Sequence, residues 1–474
     1  MLLIDKGAKE TLCEQIYTQL REQIIRGSIS ETGMLPSTRN LAKSLGVSRN
    51  TVESAYQQLS AEGYITSKAR SGYKIEKIET SLLKNQDSAG AADIAQISQE
   101  LNEQGWINTD RISFQYGRLS FADFPIRIFR RIMNQILLSE DMDLISSYNN
   151  RKGEPGFRTE ILKYIYESRG VRCGLEQIII STGITTTIGL LCQMFMSHTR
   201  EIAVEDPCYD TVRHVFINHG FRVIPIPVGK DGIDLEKLNG SGAGAVYVTP
   251  SHQFPTGAVM PVNRRLALIE WAERNNAFII EDDYDSELRY NSRPIPSMQS
   301  LDSKGRVIYL NTFSKSFAPA FRLSFMILPE ILLSDYQRHF GRYNCPAPLL
   351  EQKIMHTFMK EGQWARHLRK ICVANKKRHD FLVSSVMEIM GNRVVIHGKN
   401  AGLHILLEVK NGLTETELIE KAGSAGITVY PVSCYYADHS SCSDHQVLIG
   451  FGSLTEDEIV TGIRLLNEAW FLSL

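Results

Sequence analysis

The sequence predicts a small helical domain closed by a hairpin, then a polar linker, then a larger α/β domain on a mainly parallel sheet with a smaller α+β part at its end. Three observations predict this. Apolar residues recur every fourth position near the start, giving a helical stripe. Residues 80–105 are rich in Ser, Ala, Gln and Asn and free of aromatics, a linker composition. After Trp106, short apolar runs alternate with helical patterns. A chain of 474 residues is too long for one ordinary core. With 43% apolar and 22% charged residues it is neither low-complexity nor disordered, and a net charge of -1 excludes a globally basic nucleic-acid coat. Eight cysteines without a CxxC argue against zinc ribbons and thioredoxin-like motifs and are too sparse for a disulfide scaffold, and no metal set is expected. The start is charged within five residues and lacks a signal-peptide core. The longest apolar stretches, such as 188–196, fall short of the ~20 residues of a membrane span. A soluble, cytoplasmic protein without a membrane partner is the expectation.

The first domain is expected at 1–79. Leu12, Ile16, Leu20 and Ile24 stripe a first helix that Gly27 ends. Ser37 caps a second helix with Leu41, Ala42 and Leu45, and Gly46 supplies the turn. Ser48 caps a third with Val52, Ala55, Tyr56 and Leu59 inward, which Gly63 ends. Tyr64-Ile65 and Tyr73-Lys74-Ile75 pair as strands around Ser71-Gly72. This is the pattern of a winged helix-turn-helix, whose second helix enters the major groove with its first residues on base edges. Those residues are Arg49, Asn50 and Thr51; arginine suits guanine and asparagine suits adenine. Ser48 and the helix start suit a phosphate, and Lys68, Arg70 and Lys74 on the hairpin suit the DNA backbone or minor groove. Residues 37–74 carry six Lys/Arg (39, 43, 49, 68, 70, 74) against Glu53 and Glu62, net +4. The string LPSTRNLAKSLGVSRNTVESAYQQLSAEGYI closely resembles the DNA-binding domain of the GntR regulators over about residues 10–78. The resemblance implies a double-stranded DNA operator as partner, with Ser37, Arg39, Ser48, Arg49, Thr51 and the wing near Gly72 as contacts.

The runs QIIIST, EIAVED, FRVIPIPV, AVYVTP, AFIIEDD, VIYLNT and FMILP alternate with helical patterns from 106 to about 340. From about 341 to 474 the texture is helical, then mixed, with VVIHG, GLHILLEV, ITVYPV and VLIGFG. NTFSKSFAPAFRLSF (311–325) leaves a strand on a loop, with Lys315 between two serines and seven residues before Arg322. Such a lysine can attack an aldehyde once it loses its proton, and Ser314 with Arg322 can hold a phosphate. In FIIEDDYDSE, Asp282 and Tyr284 have the opposite parity from Asp283 and share one face, where an acid can keep a pyridine nitrogen protonated. STGITTT (181–187) opens a helix after a strand; Gly183 permits close approach, and the amides of Ile184 and Thr185 can cradle phosphate. Tyr209 follows a strand where it can stack on a ring, and TPSHQFPTG is a turn after AVYV.

These pieces, with GEPGFRTEILKYIYESRGV (153–171), resemble fold-type I aminotransferases over 110–474, and both resemblances in one chain point to the MocR/GabR subfamily of GntR regulators. The resemblance implies pyridoxal 5'-phosphate as cofactor and Lys315 as its internal-aldimine lysine. It implies Asp282 at the pyridine nitrogen, Tyr284 at the 3-oxygen and Tyr209 stacked on the ring. Ile184, Thr185, Ser314 and Arg322 would hold the phosphate. It also implies a head-to-tail homodimer with exchanged winged helices. Phe254 stands where true aminotransferases have Asn, with Gln253 or His252 as substitutes. Ser453 and Asp210-Thr211 stand where the GABA-sensing member has arginines, and Arg213 is shifted, so the effector is expected to be another amino compound or the cofactor itself. A regulator with at most weak transamination is the first reading; a functional aminotransferase with an appended DNA-binding domain is the alternative. Intact Lys315, Asp282 and Tyr284 argue against a domain that has lost its cofactor.

Overall fold

The computed structural model describes residues 2–29, 33–68, 72–77, 112–139, 146–290 and 295–472. The expected linker at 80–105 and Arg70 lie outside them. The chain divides into two compact units, Met1–Asn108 and Thr109–Leu474.

In the first unit, α1 (Leu12–Ile25) starts on a capping box between Thr11 and Glu14. Helix α2 (Thr38–Leu45) is capped by Ser37, whose hydroxyl accepts from the Asn40 amide, and ends on left-handed Gly46 at φ 65°. Helix α3 (Arg49–Ala61) is capped by Ser48, which accepts from the Thr51 amide at 3.1 Å. The wing is β2 (Ile65–Lys68) against β3 (Gly72–Ile75), with Ile65 facing Ile75. A two-residue strand, β1 (Met34–Leu35), pairs with the other edge of β3. Ile16, Leu20, Ile24, Val52, Ala55, Tyr56, Leu59 and Ile75 form the core, and the Tyr56 hydroxyl donates to the Pro36 carbonyl at 2.9 Å.

The second unit opens with β4 (Ile112–Ser113). Its large sheet comprises β5 (Ile178–Ser181), β6 (Glu201–Asp206), β7 (Arg222–Gly229), β8 (Gly232–Ile233), β9 (Ala245–Val248), β10 (Phe278–Asp282), β11 (Val307–Thr312) and β12 (Ser324–Ile327). Their order is β5-β12-β11-β10-β9-β6-β7-β8. The sheet is parallel except for β12, antiparallel between β11 and β5, and the short β8. Alternation along the strands sorts the core. Ile179, Val204, Tyr247, Ile280 and Leu310 face the helices Ile184–Phe195 and Asp210–Asn218. Ile180, Tyr309 and Phe325 face Pro155–Arg169 and Leu349–Lys360 on the other side. Apolar residues on both faces are what a sheet covered on both sides requires.

The closing lobe has a four-stranded antiparallel sheet of β13 (Val394–His397), β14 (His404–Val409), β17 (Gln446–Gly450) and β16 (Tyr430–Pro431), in that order, while β15 (Ile427–Thr428) pairs with β4. The 27-residue helix Gln363–Ile389 joins the lobes: Trp364 packs in the large-sheet core and Leu382 and Val386 in the closing lobe. No helix among the described residues is long and apolar enough to cross a membrane.

Candidate functional site: a cavity at the carboxyl edge of the sheet

The carboxyl ends of β5, β6, β9, β10 and β11, with the amino end of antiparallel β12, meet along one edge of the sheet. That edge is where open α/β sheets hold ligands. A cleft lies there, enclosing about 610 Å³ with the open solvent at its mouth included, lined by Tyr116, Gly183, Ile184, Tyr209, Tyr247, Thr249, Phe254, Asp282, Tyr284, Thr312, Ser314, Lys315 and Arg322. Seven of the eight residues expected from sequence at the cofactor are therefore together: Ile184, Tyr209, Asp282, Tyr284, Ser314, Lys315 and Arg322. Thr185 is not in the lining; it is exposed on the first turn of helix Ile184–Phe195.

Lys315 lies on the loop leaving β11, with Nζ 4.0 Å from the centroid of the Tyr116 ring. Burial pushes its amine down to about 8, against the pull of the Asp285 and Asp282 carboxylates. Gly117, at φ 80°, lets the backbone pass against Nζ, where a Cβ would collide.

Asp282 ends β10 on the same sheet face as Tyr247, and the Tyr247 hydroxyl donates to it. Burial first, then the neighbouring Asp283 and Asp285, push the Asp282 carboxyl up to about 7, while the Tyr247 bond pulls it down. Asp283, of opposite strand parity, lies on the other face, where Arg169 holds it through bonds of 2.7 and 2.8 Å and the Tyr309 hydroxyl donates to it at 2.6 Å. Tyr284 lies just past the strand. Its hydroxyl donates to the His252 carbonyl at 2.9 Å and lies 3.1 Å from His252 Nδ1.

Gly183, at φ 89°, is the N-cap of helix Ile184–Phe195, and its amide donates to the Ser324 hydroxyl at 2.7 Å. A Cβ here would run into the Arg322 guanidinium, which closes over the helix start and donates to the Thr182 carbonyl at 3.3 Å. Arg322 itself takes a left-handed conformation at φ 52°, uncommon for a side-chain-bearing residue. Ser314 receives a hydrogen bond from Thr312 at 3.0 Å. Helix start, serine and guanidinium thus form a cradle of the kind that holds a phosphate.

Neither Gln253 nor Arg213 is available in the cavity. Gln253 donates to the Pro207 and Phe254 carbonyls at 2.7 Å and accepts from Thr256, so it ties the turn. Buried Arg213 donates to the Cys434 and Tyr435 carbonyls at 3.0 Å, clamping the closing lobe's loop. The turn is anchored from below by Glu205, which accepts from the Thr249 amide and hydroxyl and whose carboxyl burial pushes up to about 7.

Sequence reading missed Tyr116, Tyr247, Thr249 and Thr312. Tyr247 sits inside AVYV, a run that signals only core, and Tyr116 has no strand or glycine-helix signature before it.

In the first unit, Ser37, Arg39, Ser48, Arg49 and Asn50 are exposed and Thr51 is half-buried. Arg49 is 64% exposed and 3.8 Å from Glu53 one turn on. Ser48 Oγ lies 2.8 Å from Thr51 Oγ1. Gly72 starts β3 opposite Lys68 at φ 95°.

A helix-turn-helix unit and an aminotransferase-type sheet with a lysine, a buried aspartate and an anion cradle on one edge define a class: a DNA-binding regulator carrying an enzyme-like domain. The family comparisons agree. Residues 112–449 match the model of aminotransferase class I and II, and residues 12–75 match that of bacterial regulatory proteins of the gntR family. The chain is 39% identical to the HTH-type transcriptional regulator YdeL of Bacillus subtilis, over 97% of this chain and 96% of the relative. It is 31% identical to a probable rhizopine catabolism regulatory protein, MocR, of Rhizobium meliloti, over 100% and 96%. Kynurenine aminotransferase from Pyrococcus horikoshii superposes with a TM-score of 0.70, at 24% identity over 83% of this chain and 98% of that one, a likeness of fold. The chain belongs to the MocR-like transcriptional regulators of the gntR family, with an aminotransferase class I and II domain.

Proposed function

We propose that this regulator binds pyridoxal 5'-phosphate in the carboxyl-edge cavity and senses there an amino compound or the cofactor itself. The carrying observation is the convergence of Lys315, Asp282, Tyr209 and the Gly183–Arg322 cradle on one cavity. The residues fit the group. Gly183 leaves room that any side chain would fill, Arg322 and Ser314 offer charge and a hydroxyl to a phosphate, and Asp282 offers a carboxylate to a ring nitrogen. Bound there, pyridoxal phosphate would supply an aldehyde reactive towards amines and an electron-withdrawing ring. Lys315, with its lowered affinity for a proton, would hold the aldehyde; Tyr209 would cover the ring and Tyr284 would stand at its 3-oxygen. The amides of Ile184 and Thr185 would meet the phosphate.

The DNA-facing set in this reading is Ser37, Arg39, Ser48, Arg49, Asn50, Thr51, Lys68, Arg70 and Gly72, on a double-stranded operator. We further propose a cytoplasmic, head-to-tail homodimer that exchanges its winged helices, and the domain limits 1–79, 80–105 and 106–474, with lobes meeting near 340. The ligand shifts operator binding only by its differential affinity for two arrangements of the protein.

The test is a spectrum of the purified protein with and without borohydride, and operator binding with and without cofactor and a panel of amino acids. A near-visible band lost in Lys315→Ala is expected, with operator affinity that responds to a ligand. Sustained transamination of ~1 s⁻¹ or more, with operator affinity indifferent to every ligand, would favour instead a working aminotransferase with an appended DNA-binding domain.

A further inference from the structure

Beside the cavity lies a buried polar set that makes no hydrogen bond to the phosphate cradle, Lys315 or Asp282. His252, 2% exposed, points Nδ1 at Asp285 Oδ2 at 2.7 Å. The same nitrogen is 3.1 Å from the Tyr284 hydroxyl, which donates to the His252 carbonyl at 2.9 Å. A carboxylate only accepts, so Nδ1 carries the proton and Asp285 fixes the tautomer. The single Nδ1–H is then shared between Asp285 at 2.7 Å and the phenol oxygen at 3.1 Å, and the phenol gives its own O–H to the His252 carbonyl. On the far side of the ring, Nε2 is buried without a partner, so the hold comes from the Asp285 side alone.

Among the described residues, nothing else packed there replaces this hold. His404 lies 5.5 Å away between ring centroids, its Nδ1 also lacks a partner, and burial pushes it down to about 3, so it stays neutral. Tyr116, Asp282 and Tyr247 also face the phenol electrostatically, yet the Tyr247 hydroxyl is spent on Asp282. Gly402 at φ 80° packs against the ring and the Asp285 carboxylate, leaving no room for a side chain.

We propose that His252, oriented by Asp285, is the positioning residue that holds the Tyr284 phenol at the cofactor's 3-oxygen and so sets the pH at which the bound chromophore titrates. This rests on the pyridoxal-phosphate reading above. With the cofactor bound, the phenol's one O–H would turn from the His252 carbonyl to the 3-oxygen while the phenol oxygen still accepts from His252; a proton offered there stabilises the anionic form and lowers the titration midpoint, and a freed phenol lets the midpoint rise.

The experiment is a spectrophotometric pH titration of the cofactor-loaded full chain. His252→Phe should raise the midpoint by about one pH unit, toward the value of Tyr284→Phe. The double variant should go no further than Tyr284→Phe alone. His252→Asn keeps an N–H near the place of Nδ1 and should restore most of the shift. An unchanged midpoint in His252→Phe, or a shift that adds fully to that of Tyr284→Phe, overturns the proposal. Asp285 also faces Lys315, so its variants are read in the unloaded protein instead. There, side-chain nitrogen spectra should show His252 protonated at Nδ1 and altered by Asp285→Asn; an Nδ1 found without a proton overturns the pairing. Absence of any near-visible band in the wild type would sink the cofactor reading, and the nitrogen spectra would still decide the histidine–aspartate pair.

Discussion

At Lys315 the decisive quantity is the cost of burying a charge. A lysine pushed down to about 8 is protonated below that pH and an available nucleophile above it. The rate at which the unloaded protein captures pyridoxal phosphate should therefore rise through a midpoint near 8 rather than near the ordinary lysine value, as followed by the growth of the near-visible band across pH 6–10. The same shift has a sign for stability. Between the folded and the ordinary value the unfolded chain binds more protons, so this group's penalty is full below about 8 and is relieved as pH rises above it. That Lys315 and Asp282 lie on one cavity was readable from the order of the motifs NTFSKSFAPAFRLSF and FIIEDDYDSE after apolar strand runs, together with their family resemblance; either residue alone reads as a solvent-facing charge. His252, Asp285 and Tyr247 were not assigned these partners. Their roles depend on which of several neighbouring side chains turn toward one another across two adjacent strands, and no spacing along one strand carries that.

Among the elements, the glycine junction after β5 is the most demanding. Its φ of 89° and the guanidinium pressed against it both exclude a side chain. Gly183→Ala should lose cofactor retention through equilibrium dialysis while far-UV circular dichroism stays near wild type; unchanged retention would mean that the cradle tolerates a methyl. Capping is decisive in the winged helix. Ser48→Ala removes the acceptor for the Thr51 amide at the start of α3 and should cost about 1 kcal/mol in denaturant unfolding of that unit. Helices with caps and stripes, and strands with four or more apolar residues, were readable because each carries its own periodicity. Two-residue β1 and β8 exist only as partners of β3 and β7, so no local pattern announces them.

For the whole molecule, the first unit owns a closed core of its own, so residues 1–79 should bind DNA as an isolated fragment, with log affinity falling linearly in log salt. Arg49→Ala should cost ~1–3 kcal/mol on sites that carry the read base and little elsewhere; equal losses on all sequences, measured by titration on varied duplexes, would make it a phosphate contact. The two-part architecture was legible because composition changes abruptly along the chain, whereas the antiparallel insertion of β12 was not, because FMILP reads alike in either direction. That insertion also dictates a schedule. The edge strand β5 has no neighbour until β12 arrives, and the Gly183 amide waits for Ser324, 141 residues later. A contact of such long range is slow to close. On the ribosome, the first and last pieces of the anion cradle meet only after the intervening six strands have been synthesised, so a nascent chain stopped before Arg322 has the DNA-reading unit complete and the ligand cavity still open.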